Sequence, residues 1–213
     1  MRDVLFMGNI LASVTHEMQN VMAIIKESGA LADDILKLNG PPRMRHGDKL
    51  DNSLVNIQQQ VERGRTLMLM LNGFAHAAAD YPESGDLARF ARQICIPAQR
   101  LAHLKECSLV PSLDGPPLVV RGNALTLMES AYAGIAAVLE GCQAGDTLHV
   151  SAAPPQAGEQ GPVLRIRAEK SLAEPEQQAV APIMTGLGGS CRAGTGFLEL
   201  RYAAATAQGE TAP

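Results

Sequence analysis

The run Thr15-His16-Glu17-Met18-Gln19-Asn20 sets an imidazole, a carboxylate and an amide within little more than one helical turn. Residues four apart lie on one helical face, so His16 and Asn20 can cooperate. The neighbouring carboxylate of Glu17 could receive the imidazole proton and leave the other ring nitrogen nucleophilic. An exposed histidine so equipped could carry a phosphoryl group. Taken by themselves, the same residues also suit an ordinary polar helix face.

The elements around them decide how they are presented. Leu11, Val14, Met18, Val21, Ile25, Ser28, Ala32 and Ile35 recur at the three-four spacing of a helix with one apolar seam over residues 9 to 38. Taking Leu11 as position a and Val14 as d of a heptad puts His16 at f, farthest from the seam, and Glu17 at g on its flank. Asn39-Gly40-Pro41-Pro42 ends the run, because glycine accepts the left-handed cap and proline cannot continue the helix. Leu50, Leu54, Ile57, Val61, Gly64, Met68, Leu71 and Ala75 repeat the spacing, with Asp48 as the expected N-cap. Two such helices make an antiparallel hairpin that alone leaves apolar surface uncovered. A homodimer, closing two hairpins into a four-helix bundle, is expected to cover it.

The chain changes character near residue 80, giving expected segments of a hairpin domain at 1–79, a linker at 80–86 and a second domain at 87–213. Residues 87 to 104 read as a helix that Pro97 kinks or ends, and residues 123 to 139 as another. Short strands are expected at 108–111, 118–120, 147–151 and 163–167, while 195–207 reads equally as strand or helix. Helices interleaved with hairpin-like strands imply a two-layer α/β sandwich, so the whole chain is α+β.

Composition narrows the chemistry. Lys and Arg number 18 against 22 Asp and Glu, a formal charge of −4, with four Phe, three Tyr and no Trp. That is neither the basic balance nor the ring supply of a nucleic-acid surface. The segment Met1-Arg2-Asp3-Val4-Leu5 lacks the pattern of a signal peptide, and no apolar run reaches the roughly 18 residues of a membrane span, so a cytoplasmic protein without membrane contact is expected. Cys95, Cys107, Cys142 and Cys191 are spread singly and give no metal-ligand spacing, so reduced thiols, most of them in cores, are expected. His46 reads as loop, His76 as a helix-end cation, and His103 and His149 have no evident partner. Glu62, Arg63 and Arg65 read as solvating charges near the hairpin's far end.

The sequence from Leu11 to Ile25, LASVTHEMQNVMAII, resembles the phosphoacceptor box of two-component histidine kinases, whose hairpin dimerises into a bundle. The resemblance covers about residues 9 to 75. It implies that His16 carries phosphate, that Glu17 is its base, and that Asn20 orients the phosphoryl group or the water that removes it. The second domain resembles the kinases' ATP-binding domain in degenerate form. Residues 125 to 150 follow the outline of its asparagine-bearing helix and next strand. Ser130 and Gly134 fall where the family places asparagines, and glycine cannot help hold magnesium. Ala168-Glu169-Lys170-Ser171 replaces the adenine-binding Asp-x-Gly segment, and Met184 to Ser190 with Gly194-Thr195-Gly196 resembles a remnant of the glycine-rich lid. The vestigial nucleotide positions are thus Ser130, Gly134, Glu169, Gly194 and Gly196, and retained ATP binding is not expected.

An intact phosphoacceptor box beside an eroded nucleotide site resembles the dimeric, kinase-derived bacterial histidine phosphotransferases. The resemblance implies a relay of phosphate between receiver-domain aspartates through His16, in a two-component phosphorelay. It implies response regulators and hybrid kinases as partners, no intrinsic cofactor, and magnesium supplied by the receiver. The alternatives are an active or atypical sensor kinase, a receiver phosphatase, or a non-catalytic scaffold that binds response regulators.

Overall fold

The computed structural model describes residues 2–38, 47–79, 84–156, 161–171 and 173–205. By its contacts the chain separates into two units, residues 7–73 and residues 1–6 with 74–213. Among the described residues no helix is long and apolar enough to cross a membrane.

The first unit is the antiparallel hairpin formed, within residues 7–73, by α1 (Arg2–Leu38) and α2 (Gly47–Ala79). In this unit α1 buries Ile10, Ser13, Val14, Val21, Ser28, Ala32 and Ile35, and α2 buries Ser53, Gly64, Leu67 and Met70. The expected stripe is kept at Val14, Val21, Ser28, Ala32, Ile35 and Gly64 and departs at other positions. Leu11 is exposed while Ile10 takes the inward position, and Leu54, Val61 and Met68 are exposed while Leu67 and Met70 point inward. A pair of helices can cover only one stripe of each, and each helix here carries more apolar residues than one stripe holds. Small side chains on the seam let the axes approach, and the open side of Gly64 lies against Val21 Cγ1 and the Met18 thioether. Asp48 sits inside the first turn of α2 rather than capping it, where its charge suits the helix N-terminus. The breaker residues 39–42 and His46 lie outside the described residues, as does the His76 side chain.

The second unit places α3 (Leu87–Leu104) and α4 (Ala124–Glu140) on one face of a five-stranded sheet. Its strands are β2 (Ser108–Ser112), β4 (Thr147–Ala153), β5 (Val163–Ala168), β6 (Ser190–Gly194) and β7 (Phe197–Arg201), in the order β2-β4-β5-β7-β6. β2 and β4 are parallel and the other pairs antiparallel. Leu148, Val150, Leu164, Ile166, Leu198 and Leu200 alternate inward, fully buried, whereas His149, Ser151, Arg165, Arg167, Phe197 and Glu199 alternate outward. A short helix, α5 (Ala181–Gly186), precedes β6.

Several local expectations change. Ser84–Asp86 is not linker but β1, paired antiparallel with β3 (Val119–Arg121). Asp86 then N-caps α3, accepting from the Ala88 and Leu118 amides. Pro97 neither ends nor bounds α3, and is buried within it. Residues 197–201 resolve as strand, because β7 fills the gap between β5 and β6.

Candidate functional site

In the hairpin unit His16 faces solvent, opposite the buried Val14 and Val21. One turn on, the Asn20 Nδ2 lies 3.4 Å from its Nδ1, a contact in which the amide N–H donates and Nδ1 accepts, with the ring proton on Nε2. That contact leaves Nε2 as the outward ring nitrogen. Because the amide offers a donor at one end and an acceptor at the other, Asn20 can hold Nδ1 bare or protonated, and with the carbonyl end turned inward it keeps the lone pair on Nε2.

Glu17 does not join this contact. Its carboxylate, 14% exposed, accepts from Arg63 Nη2 of α2 at 2.6 Å, with the arginine side chain 49% exposed. The pair is charge-assisted and spans the two helices just where Gly64 allows close approach. Arg63 thus lies level with the chemistry rather than at the hairpin's far end. Its neighbours Glu62 and Arg65 pair with each other in solvent at 3.5 Å. Nothing in the one-dimensional pattern marks Arg63, since only the register of α1 against α2 makes it a neighbour of Glu17. Exposed apolar side chains flank the site along α1, Leu11 before it and Met22 after it.

Of the five vestigial nucleotide positions, Gly196 lies against the 168–171 segment that carries Glu169, its carbonyl accepting from the Ala168 amide at 2.8 Å, whereas Ser130 and Gly134 are turned into the core. Ser130 is fully buried; its hydroxyl donates to the Leu127 carbonyl at 2.7 Å and takes the Tyr202 hydroxyl at 2.8 Å. Burial in turn pushes the Tyr202 phenol well above its usual range. Gly134 faces the sheet, where a Cβ would meet Ile166 Cδ1 at 2.8 Å and Leu200 Cδ1 at 3.0 Å. An asparagine at either position would point into the apolar core. The half-exposed face of α4 carries Tyr132, Ala133, Ala136 and Ala137, with Glu129 buried before them and Glu140 after them accepting from Lys105 at 3.0 Å.

Glu169 is exposed and pairs at 2.8 Å with His149 Nε2, which supplies that histidine's partner and lowers the carboxyl's affinity for protons. Gly194 ends β6 and Gly196 forms the turn into β7 with φ +70°. There a Cβ would sit 2.4 Å from the Ser171 carbonyl, so this glycine is required by a hairpin turn rather than by a phosphate. As packed, Ser130 and Gly134 offer no side chain to a magnesium ion. Among the described residues no three His, Cys, Asp or Glu side chains form a group that could hold a metal ion.

The outer sheet face holds an open cavity of about 580 Å³ lined by His149, Ser151, Arg165, Arg167, Thr195, Phe197 and Glu199. Arg165 is tied to Glu199 across β5 and β7 at 2.8 Å.

No family model matches the chain, and no curated protein does. Among solved structures, the chain is similar to Acinetobacter baumannii histidine kinase AdeS at 13% identity and a TM-score of 0.47, over 90% of this chain and 98% of that one. It is also similar to the cytoplasmic segment of histidine kinase QseC at 13% identity and a TM-score of 0.47, over 59% and 80% of the two chains. The catalytic domain of histidine kinase ThkA aligns at 8% identity and a TM-score of 0.48, over 59% and 97%. At such scores the likeness carries no functional conclusion, and the assignment of chemistry rests on the residues.

Proposed function

We propose that this chain is a histidine phosphotransfer protein, in which His16 takes a phosphoryl group from one receiver-domain aspartate and gives it to another. The observation that carries this reading is the exposed His16 ring, with Nδ1 against the Asn20 Nδ2 and Nε2 turned to the outside. With the Asn20 amide turned to set Oδ1 against a protonated Nδ1, the Nε2 lone pair attacks phosphorus, the N–P bond forms as the aspartyl O–P bond breaks, and the aspartate leaves as a carboxylate. The Nδ1 proton stays on the ring against the amide oxygen or passes to water. Reversal onto a second receiver completes the relay. Magnesium would come with the receiver's acidic pocket, where it neutralises phosphoryl charge.

A second copy of the chain is the proposed cover for the remaining apolar side chains of the hairpin. Leu31, Leu36, Leu54, Val61, Met68 and Leu69 are about half exposed in the single chain. Burying such a row in a four-helix bundle contributes about 25 cal/mol per Å² of apolar surface.

The kinase alternative is disfavoured by the packing of Gly134 and Ser130 into the core. Two measurements test the proposal. Incubation with a phosphorylated receiver should place an acid-labile, base-stable phosphate on the chain, and incubation with ATP and magnesium alone should not. Calorimetric titration with an unhydrolysable ATP analogue should give no tight binding; low-micromolar affinity would favour the kinase.

A further inference from the structure

We propose that Arg63 is a positioning residue of the His16 site: by holding the Glu17 carboxylate against α2, it leaves His16 Nδ1 to Asn20, so that the amide and not the carboxylate sets which ring nitrogen carries the proton. The inference rests on the phosphotransfer reading for its purpose, though not for its test.

Three observations support it. The Arg63 Nη2 to Glu17 Oε2 contact is 2.6 Å, short and charge-assisted, and Glu17 is the more buried partner. The contact on Nδ1 comes from the Asn20 Nδ2, the arrangement of the form in which Nε2 bears the proton. Gly64, beside Arg63, lies against Val21 and Met18, so the two helices are close at this level and the guanidinium can span them.

The chemical consequence differs from that of a histidine with a carboxylate on its ring. A carboxylate can only accept, so it would fix the proton on Nδ1 throughout. An amide can turn its oxygen or its nitrogen to the ring, and so can serve both the attacking form, with Nδ1 protonated, and the form in which Nε2 bears the proton. Tied to α2 by the arginine, the Glu17 carboxylate is directed away from the ring of the residue before it. The guanidinium also keeps N–H groups beyond the one on Glu17, on a half-exposed side chain.

The test reads the tautomer ratio of His16 by two-bond proton–nitrogen correlation in the full chain labelled at histidine nitrogen. It is run at about pH 8, where an ordinary imidazole is neutral, and His16→Gln identifies the signals. Asn20→Ala should move the ratio about threefold to tenfold, the scale of one hydrogen bond, and Glu17→Gln alone should leave it unchanged. Arg63→Met should shift the ratio toward the Nδ1-protonated form. That shift should vanish in the Arg63→Met, Glu17→Gln double variant, and Arg63→Lys should restore the original ratio. Unchanged helical content and mass would show that each variant folds.

The proposal is overturned if Glu17→Gln alone moves the ratio as far as Asn20→Ala. It is also overturned if Arg63→Met has no effect, or if its effect survives in the double variant. Because no phosphate is involved, a failure of phosphotransfer in the labelling experiment leaves this result standing and defeats only the relay.

Discussion

His16 and Glu17 are adjacent in the chain but engaged in different directions, the ring with Asn20 on its own helix and the carboxylate with Arg63 on the other. A general base contributes about 10²- to 10⁴-fold. A carboxylate held by arginine should contribute less, so Glu17→Gln should slow labelling by less than about tenfold and Asn20→Ala by more; initial rates with one phosphorylated receiver measure both. Elsewhere in the chain, burial pushes the Cys95 and Cys142 thiols up from 9.0 to about 12, and for Cys142 the nearby Asp146 and Cys107 add to it. In the unfolded chain these thiols ionise near pH 9, while in the fold they keep their protons until about pH 12. Their contribution is thus intact below about pH 9 and is lost as pH rises toward 12. The urea midpoint should fall between pH 8 and pH 10.5, and fall less steeply in Cys95→Ala; equal slopes would contradict the assignment.

At the scale of elements, the α4 helix shows what a motif can and cannot say. Placing asparagine at Gly134, as if to restore a magnesium ligand, would push a polar side chain against Ile166 and Leu200. Such overpacking costs about 1–3 kcal/mol, so Gly134→Asn should lower the midpoint of denaturant unfolding without creating nucleotide affinity. A variant as stable as wild type would show that α4 is turned differently.

The helices and strands were legible because period and breakers are local properties. Residues 87–104, 147–151 and 163–167 each carry a clean one. The solvent exposure of His16 was legible for the same reason. What stayed hidden depends on pairing between distant segments. β1 exists only because Ser84–Asp86 meets Val119–Arg121, and β7 is strand only because it lies between β5 and β6. The Glu17–Arg63 pair and the Glu169 partner of His149 likewise arise from register across elements. The inward face of Ser130 and Gly134 follows from how α4 meets the sheet, which family resemblance alone does not fix.

For the whole molecule, the proposed dimer and the proposed relay are separate claims. The exposed apolar positions on α1 and α2 predict a solution mass near twice that of one chain, with Leu54→Glu or Val61→Glu shifting it toward the monomer because an unpaired charge would enter an apolar interface. Ultracentrifugation at micromolar concentration reads this, and a wild-type monomer would contradict it. The relay is tested most directly by one labelling experiment on the wild-type chain and His16→Gln, each mixed with a phosphorylated receiver domain. His16 is exposed, so the substitution should leave fold, mass and receiver binding unchanged. An acid-labile phosphate is expected on the wild-type chain and none on His16→Gln; equal labelling of the two, or receiver binding without labelling of either, would contradict the relay.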